Sequence, residues 1–200
     1  MAANATRWGI FGAGKIAHDF VVALKTLPES EHMIVAVAAR SLERAAEFAD
    51  RHNIDKAYGS YEELARDASV EVVYISTIHP QHAPLCKLAV SHRKHVLCEK
   101  PMTMNLKQTK EVFQLAKAKG LFIMEVRSSS RAVDSKSKRD SVFGVIGQKV
   151  ISVIIEMKAF GATLSLNIMH SDVPVGEGGP NEVLYREVPP GGSNPYPLVH

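Results

Sequence analysis

Gly12-Ala13-Gly14-Lys15-Ile16-Ala17 decides the fold of this chain. It follows the apolar run Trp8-Gly9-Ile10-Phe11 and opens a stretch in which apolar residues recur with helical spacing. In a strand, glycine-rich turn and helix of this kind, small residues let the backbone approach a pyrophosphate, and the free N–H groups of the helix N-terminus bind it. The pattern therefore predicts a dinucleotide site, with the phosphates against Gly12, Ala13, Gly14, Lys15 and Ile16.

The end of the next predicted strand indicates which dinucleotide binds. The buried run 33–39 ends in Arg40-Ser41, at the position where an acidic residue would bind the ribose 2′-hydroxyl of NAD. Arg40 instead offers a fork of donors to a 2′-phosphate, and Ser41 adds a second donor. The alternative is that Arg40 is a solvated residue at a strand end. We expect NADP as the cofactor.

Composition excludes several classes of protein. The chain has 200 residues, a net charge of +3 and 46% hydrophobic residues, with its basic residues scattered. We expect neither a nucleic-acid partner nor a membrane partner, because there is no basic stripe and no apolar run of spanning length. The N-terminal residues are too few and too polar for a signal peptide, and two lone cysteines suit a reducing compartment, so we expect a cytoplasmic protein.

The order of predicted elements favours an α/β class with a doubly wound parallel sheet, a Rossmann domain over residues 1–125. Strands are expected at 8–11, 33–39, 57–58, 70–76, 95–99 and 121–125, and helices at 15–27, 42–52, 61–67, 80–91 and 105–120. The helix at 42–52 is expected to bury Leu42, Ala45, Ala46 and Ala49. Asn105 is the predicted N-cap of the last helix and Gly120 its stop.

Residues 126–200 change in character. They begin with a polar, basic segment, pass through a predicted long strand at 149–160, and end in a stretch rich in Pro and Gly for which we expect loops or disorder. We interpret 126–200 as a partial, divergent α+β domain for substrate binding and dimerisation, with a flexible tail.

The ends of the fourth and fifth predicted strands carry the remaining chemistry, because ligands of open parallel sheets bind beyond the carboxyl ends of the strands. Thr77, His79 and His82 follow the fourth strand, and Glu99-Lys100-Pro101 follows the fifth. Pro101 stiffens the turn that presents Lys100. Lys100 is the candidate for proton transfer during hydride transfer, whereas His79 could contact the nicotinamide or the substrate.

Three alternatives stay open for these side chains. His82 is either a ligand of the cofactor or a surface residue at a helix start. The pair His79 and His82 could bind a metal, but no third ligand is evident and we expect none. Glu125 is expected to stabilise a neighbouring turn, although it could also enter the cleft. Cys86 and Cys98 are expected to be small core residues.

The segment 8–125 resembles the cofactor domain of the Gfo/Idh/MocA oxidoreductase family. The matching stretches are Val35 to Arg40, Ala57 to Leu64, His79-Pro80-Gln81-His82 and Val96 to Met102. The resemblance implies that Lys100 is the active-site lysine. We also expect Thr77, His79, His82 and Glu99 beside the cofactor. It also implies hydride transfer between NADP and a hydroxyl of a small-molecule substrate, a trans-dihydrodiol or an aldose such as D-xylose, in a homodimer.

Two other functions compete with this hypothesis. Past Gly161 the sequence no longer resembles the family, so the chain could be a non-catalytic NADP-binding homologue or an interaction partner of a full-length enzyme. A short-chain dehydrogenase is excluded by its motif, because none of the five tyrosines has a lysine four residues on.

Overall fold

The computed structural model describes residues 5–126, which form one parallel six-stranded sheet with helices on both faces. The strands are β1 (Thr6–Phe11), β2 (His32–Ala38), β3 (Lys56–Tyr58), β4 (Val72–Ile75), β5 (His95–Cys98) and β6 (Ile123–Glu125). The helices are α1 (Lys15–Leu24), α2 (Leu42–His52), α3 (Tyr61–Arg66), α4 (His82–Ser91) and α5 (Leu106–Ala118). The predicted second domain lies outside the described residues, apart from Val126.

The strand order is β3-β2-β1-β4-β5-β6, and every neighbouring pair is parallel. The chain therefore winds outward from β1 in one direction, returns to the other side of β1 at β4 and winds outward again. This is the Rossmann arrangement that the sequence predicts, and the point where the order reverses lies between β1 and β4.

Alternation along the strands divides the core into two layers. On one face Trp8, Ile10 and Tyr74 pack with α1 and α2, and on the other Val73 and Ile75 pack with α3, α4 and α5. Because successive side chains of a strand point to opposite faces, a sheet covered on both sides requires nearly continuous apolar strands. All four residues of β4 are buried, as this requires.

Helix ends follow local capping chemistry. Ser41, Ser60 and Asn105 accept hydrogen bonds at the N-termini of α2, α3 and α5. Gly120 has a left-handed φ of 64°, so it ends α5 as predicted. The bounds of α2 match the prediction fully, because its cap and its apolar spacing are both local signals.

Several expected bounds and faces are wrong. Helix α1 ends at Leu24 rather than residue 27, because Thr26 Oγ1 donates to the Ala23 carbonyl and closes the turn. A short 3-10 turn, His79–Gln81, precedes α4, so Pro80 lies in that turn and not in the helix. In α2 the buried face is Ala45, Phe48, Ala49 and His52, whereas Leu42 is 57% exposed and Ala46 is half-buried.

None of the helices among residues 5–126 is long and apolar enough to cross a membrane.

Candidate dinucleotide site

The site lies where the carboxyl ends of β1, β2, β4 and β5 meet at one edge of the sheet. The register aligns Phe11 with both Ala38 and Ile75, and Ile75 with Cys98. The loops that follow these four residues therefore begin side by side. They carry the glycine turn, Arg40, Thr77 and Lys100, which the sequence assigned to one site.

Gly12 is required by the backbone. Its φ of 109° is disfavoured for residues with a side chain, and a Cβ there would lie 3.1 Å from Ser76 Oγ and 3.2 Å from the Ser76 carbonyl oxygen. Its N–H donates to the Ala38 carbonyl at 2.9 Å. Gly12 thus lets the chain leave β1 in close contact with the end of β4.

Gly14 leaves space for a ligand. It is the N-cap of α1 in extended conformation, with φ −105°, and no side chain caps the helix. A Cβ at Gly14 would meet nothing within 4 Å, and Gly14, Lys15 and Ile16 are exposed. An open helix N-terminus without an acidic residue in its first turn, followed by a lysine, suits a pyrophosphate.

The end of β2 provides two arginines. Arg40 is exposed and has no ion-pair or hydrogen-bond partner among residues 5–126. Ser41 Oγ accepts from the Arg44 N–H at 3.4 Å, so its hydroxyl caps α2 and keeps its own proton to donate. Burial raises the pKa of the Tyr61 hydroxyl, and the nearby Arg40 and Arg44 oppose that shift.

Arg44 is a candidate phosphate ligand that the sequence reasoning missed. Arg40 and Arg44 both act on the pKa of the Tyr61 hydroxyl, so both charges lie in the neighbourhood of that side chain. The signal was present in the sequence, because Arg44 lies in the first turn of a helix whose cap directly follows Arg40.

The end of β4 holds two buried polar atoms without partners. Thr77 Oγ1 and His79 Nε2 make no hydrogen bond among the described residues, although both atoms are inaccessible to solvent. Buried polar groups in proteins are nearly always satisfied, so unpaired ones at a ligand-binding edge are ready to bind a ligand. The residues present therefore fit the cofactor that the sequence predicts.

The turn after β5 presents Lys100 to solvent and is held at three successive residues. The Lys100 N–H donates to Glu99 Oε2 at 3.2 Å, the Pro101 carbonyl lies 2.8 Å from His82 Nδ1, and the Met102 N–H donates to Glu125 Oε1 at 2.5 Å. The Lys100–Pro101 peptide bond is cis. The expectation that Glu125 stabilises a neighbouring turn is confirmed by its contact with Met102.

His82 and Glu99 both make contacts within the protein. His82 is only 1% exposed, so the surface interpretation is wrong, and its two ring nitrogens lie at the carbonyls of Pro101 and Thr77. Its role beside the cofactor stays a prediction. Glu99 Oε1 accepts from the buried Tyr74 hydroxyl at 2.7 Å, so this carboxylate is turned into the protein. Both residues support the turn that carries Lys100.

The described residues also bear on metal binding and redox chemistry. Residues 5–126 contain no group of three or more His, Cys, Asp or Glu side chains that could hold a metal ion. Cys86 and Cys98 are free, buried thiols, as expected of core residues.

Residues 6–126 match the GFO/IDH/MocA family, described as an oxidoreductase family with an NAD-binding Rossmann fold. The chain belongs to the GFO/IDH/MocA family. Curated relatives of this GFO/IDH/MocA chain include the trans-1,2-dihydrobenzene-1,2-diol dehydrogenases of Danio rerio and Mus musculus, which are 54% and 57% identical to it over 121 residues. The match covers 60% of this chain and 36% of either relative, so the chain spans little more than a third of their length.

Solved structures with the same GFO/IDH/MocA-type sheet resemble it over the same part. A 3-ketoreductase from Actinomadura kijaniata, in complex with NADP and TDP-benzene, is 32% identical with a TM-score of 0.57, over 61% of this chain and 37% of that one. An NAD-binding oxidoreductase from Klebsiella pneumoniae is 29% identical with a TM-score of 0.57, over 60% of this chain and 34% of that one.

Proposed function

We propose that this chain binds NADP(H) at the carboxyl edge of its sheet and serves hydride transfer between the nicotinamide and a hydroxyl of a trans-dihydrodiol or an aldose such as D-xylose. The observation that carries the proposal is the convergence of the open glycine turn, the free Arg40 and the exposed Lys100 on one sheet edge. Membership of an oxidoreductase family and similarity to trans-1,2-dihydrobenzene-1,2-diol dehydrogenases support the reaction class and the dihydrodiol substrate.

The preference for NADP over NAD rests on charge. Arg40, Arg44 and the Ser41 hydroxyl offer donors at the strand end where the adenosine ribose is expected, and Arg40 has no carboxylate partner among residues 5–126. An arginine fork on a phosphate forms charge-assisted hydrogen bonds of about 1.5–3 kcal/mol. The neighbouring ketoreductase structure contains NADP, which agrees with this proposal.

Lys100 is the proposed proton-transfer group. When bound, the nicotinamide ring would exchange a hydride with the carbon that bears the substrate hydroxyl. As a neutral amine, Lys100 Nζ would accept the proton of that hydroxyl as the carbonyl forms, and as an ammonium group it would return the proton in the reverse direction. Its side chain is free to do so, because it is exposed and makes no hydrogen bond among residues 5–126.

Thr77 and His79 are proposed to position the cofactor or the substrate. The unpaired Thr77 Oγ1 and His79 Nε2 lie on the loop that leaves β4, next to the switch point of the sheet. Their hydrogen bonds to a bound ligand would remove the cost of two unsatisfied buried polar atoms.

A second candidate function is NADP binding without turnover. It is favoured by the extent of the comparisons, since the match to the dehydrogenases is confined to the Rossmann domain and covers 36% of their length. In this case the chain would act as a cofactor-binding homologue or as a partner of a full-length enzyme. Homodimerisation and a cytoplasmic location remain predictions for either function.

One pair of measurements on the 200-residue chain separates the two functions. NADPH and NADH are titrated by fluorescence, and turnover is then assayed with a trans-dihydrodiol and with D-xylose in the presence of NADP. Tight NADPH binding with turnover supports the dehydrogenase, and NADPH binding without turnover supports the second candidate. Equal affinity for both cofactors, or no binding, would contradict the cofactor assignment itself.

A further inference from the structure

His82 occupies an unusual position between two loops of the site. It is the first residue of α4 and is 1% exposed. Its Nδ1 lies 2.8 Å from the Pro101 carbonyl oxygen and its Nε2 lies 3.0 Å from the Thr77 carbonyl oxygen. One imidazole thus bridges the loop after β4, which carries Thr77 and His79, and the turn after β5, which carries Lys100.

The chemistry of the two partners fixes where the protons are. A backbone carbonyl oxygen can only accept a hydrogen bond, so each ring nitrogen must donate. Neutral imidazole has one N–H and one bare nitrogen, and the bare nitrogen would then face a carbonyl oxygen lone pair to lone pair. Both contacts are satisfied together only by the imidazolium form.

We propose that His82 is a positioning residue that carries a proton on both ring nitrogens and, by donating to Thr77 and Pro101 at once, holds the turn bearing Lys100 against the loop after β4. The double protonation of His82 does not depend on the proposed function. The importance of His82 for positioning Lys100 rests on that function. The cation also lies within the edge of the sheet where an anionic cofactor would bind.

The surroundings allow the charge. Burial of the ring opposes its charged form, but contacts with Cys98 and with the carbonyls of Pro101 and Thr77 outweigh burial and raise the pKa of His82 above its ordinary value of 6.5. The Cys98 thiol stays neutral, because its hydrogen bond with Cys86 and its burial raise its pKa. The carbonyls are therefore the lasting partners of the cation.

The titratable groups around His82 lie on β5, α4 and β6, on the 3-10 turn before α4 and on the turn after β5. Cys98 is at the end of β5, Cys86 lies one turn on along α4, and the His79 ring lies 5.7 Å from the His82 ring, centroid to centroid. Glu99 and Glu125 bind the N–H groups on either side of Pro101. Deprotonation of His82 would remove one of the three holds on the turn.

The test is a pH series of long-range proton–nitrogen correlation spectra of the histidine rings in the full chain without cofactor. His82→Gln assigns the signal, and His92, whose Nδ1 lies 3.0 Å from a single carbonyl at the other end of α4, is the internal control. We expect both nitrogens of His82 to be protonated at neutral pH and the ring to lose one proton only above the ordinary histidine value of 6.5. A bare nitrogen on His82 at neutral pH would overturn the protonation.

The positioning of the Lys100 turn by His82 is tested separately, with the backbone amide signals of that turn. In the wild type, the amide signals of Lys100 and Met102 should shift with the titration of His82, and that component should be missing in His82→Gln and present in His92→Gln. Exchange of the Met102 amide proton should be about tenfold faster in His82→Gln, the effect of about one lost hydrogen bond. If the amide signals of Lys100 and Met102 do not change as His82 titrates, the positioning role is overturned. If His82→Gln does not fold, the wild-type titration decides alone.

Discussion

Gly12 and Gly14 lie in the same turn, but a different physical constraint requires glycine at each position. Gly12 is fixed by its φ of 109° and by the nearby Ser76 backbone, whereas Gly14 has an ordinary backbone and open space where a Cβ would be. A substitution at Gly12 therefore tests the fold, and one at Gly14 tests the ligand.

We predict that Gly14→Val weakens NADPH binding while the free energy of unfolding changes little. The branched side chain would occupy the space that the pyrophosphate needs, without a clash in the free protein. The measurements are a fluorescence titration with NADPH and urea unfolding. Gly12→Ala is the matched control, which should instead lose stability. Unchanged NADPH affinity in Gly14→Val would show that the turn is only structural.

We predict that Arg40→Asp reduces or reverses the preference for NADPH over NADH. The change removes the guanidinium donors and adds a carboxylate that repels a 2′-phosphate but can accept from a ribose hydroxyl. The expected loss of NADPH affinity corresponds to about 1.5–3 kcal/mol. Arg51→Asp, at the exposed C-terminal end of α2, serves as the control for charge alone. Similar losses of NADPH affinity in both variants would contradict the assignment.

At the scale of elements, side-chain hydrogen bonds fix where the short helices of this domain begin. Helix α3 has only six residues and begins with a capping box, in which Ser60 Oγ accepts from the Glu63 N–H and the Glu63 carboxylate accepts from the Ser60 N–H, both at 3.2 Å. A helix of this length is not stable alone, so its cap and its packing maintain it.

We predict that Ser60→Ala lowers the free energy of unfolding by about 1 kcal/mol, the usual effect of losing an N-cap. The measurement is equilibrium unfolding in urea. Ser91→Ala is the control, because Ser91 is exposed at the C-terminal end of α4. Equal stability of both variants and the wild type would mean that packing alone holds α3.

The turn after β5 is the element on which catalysis would depend. If the chain has dehydrogenase activity, Lys100→Met should lower kcat by about 10²–10⁴-fold, the usual effect of losing a positioned proton-transfer group. NADPH affinity should be largely retained, and His79→Ala should have a smaller effect on kcat. Lys107→Met, on the exposed side of α5, is the matched control. Full activity of Lys100→Met would show that the active site lies elsewhere.

For the folded domain as a whole, the described histidines and Asp67 set the pH dependence of stability. Burial lowers the pKa of both His52 and His95. The nearby His18 lowers the pKa of His52 further. At Asp67 burial acts in the opposite sense, but hydrogen bonds from Lys56, Ser69 and Tyr58 outweigh it and lower the pKa of the carboxyl. His82 alone among these histidines has a raised pKa.

We predict that the free energy of unfolding is greatest near pH 6.5, the ordinary pKa of histidine. Below it, the unfolded chain binds more protons at His52 and His95, and below about 3.8 also at Asp67, so stability falls with acid. Above it, the folded state retains the His82 proton to a higher pH than the unfolded chain does, so stability falls as pH rises through the raised pKa of His82. Urea unfolding at a series of pH values measures the profile, and His82→Gln should flatten only its alkaline side. An alkaline side that is unchanged in His82→Gln would contradict the charge on His82.

Much of the fold was predictable because its signals are local. The alternation of strands and helices, the bounds of α2, the Asn105 cap and the stop at Gly120 each depend on residues within one or two turns of each other. The bounds of α1 and β4 were less predictable, since turn hydrogen bonds and sheet pairing decide where a regular element stops.

The sequence by itself determined the α/β class, the glycine turn and the family, because short-range periodicity and motif spacing encode all three. Only the tertiary structure decided what supports Lys100. The His82 carbonyl contacts, the Glu125–Met102 bond and the Tyr74–Glu99 bond join residues between 5 and 25 positions apart. Such contacts depend on how parallel strands align at the sheet edge, which no local pattern specifies. For that reason, sequence reasoning placed His82 at the site but assigned it to the ligand or the surface, whereas the fold buries it between two carbonyl oxygens.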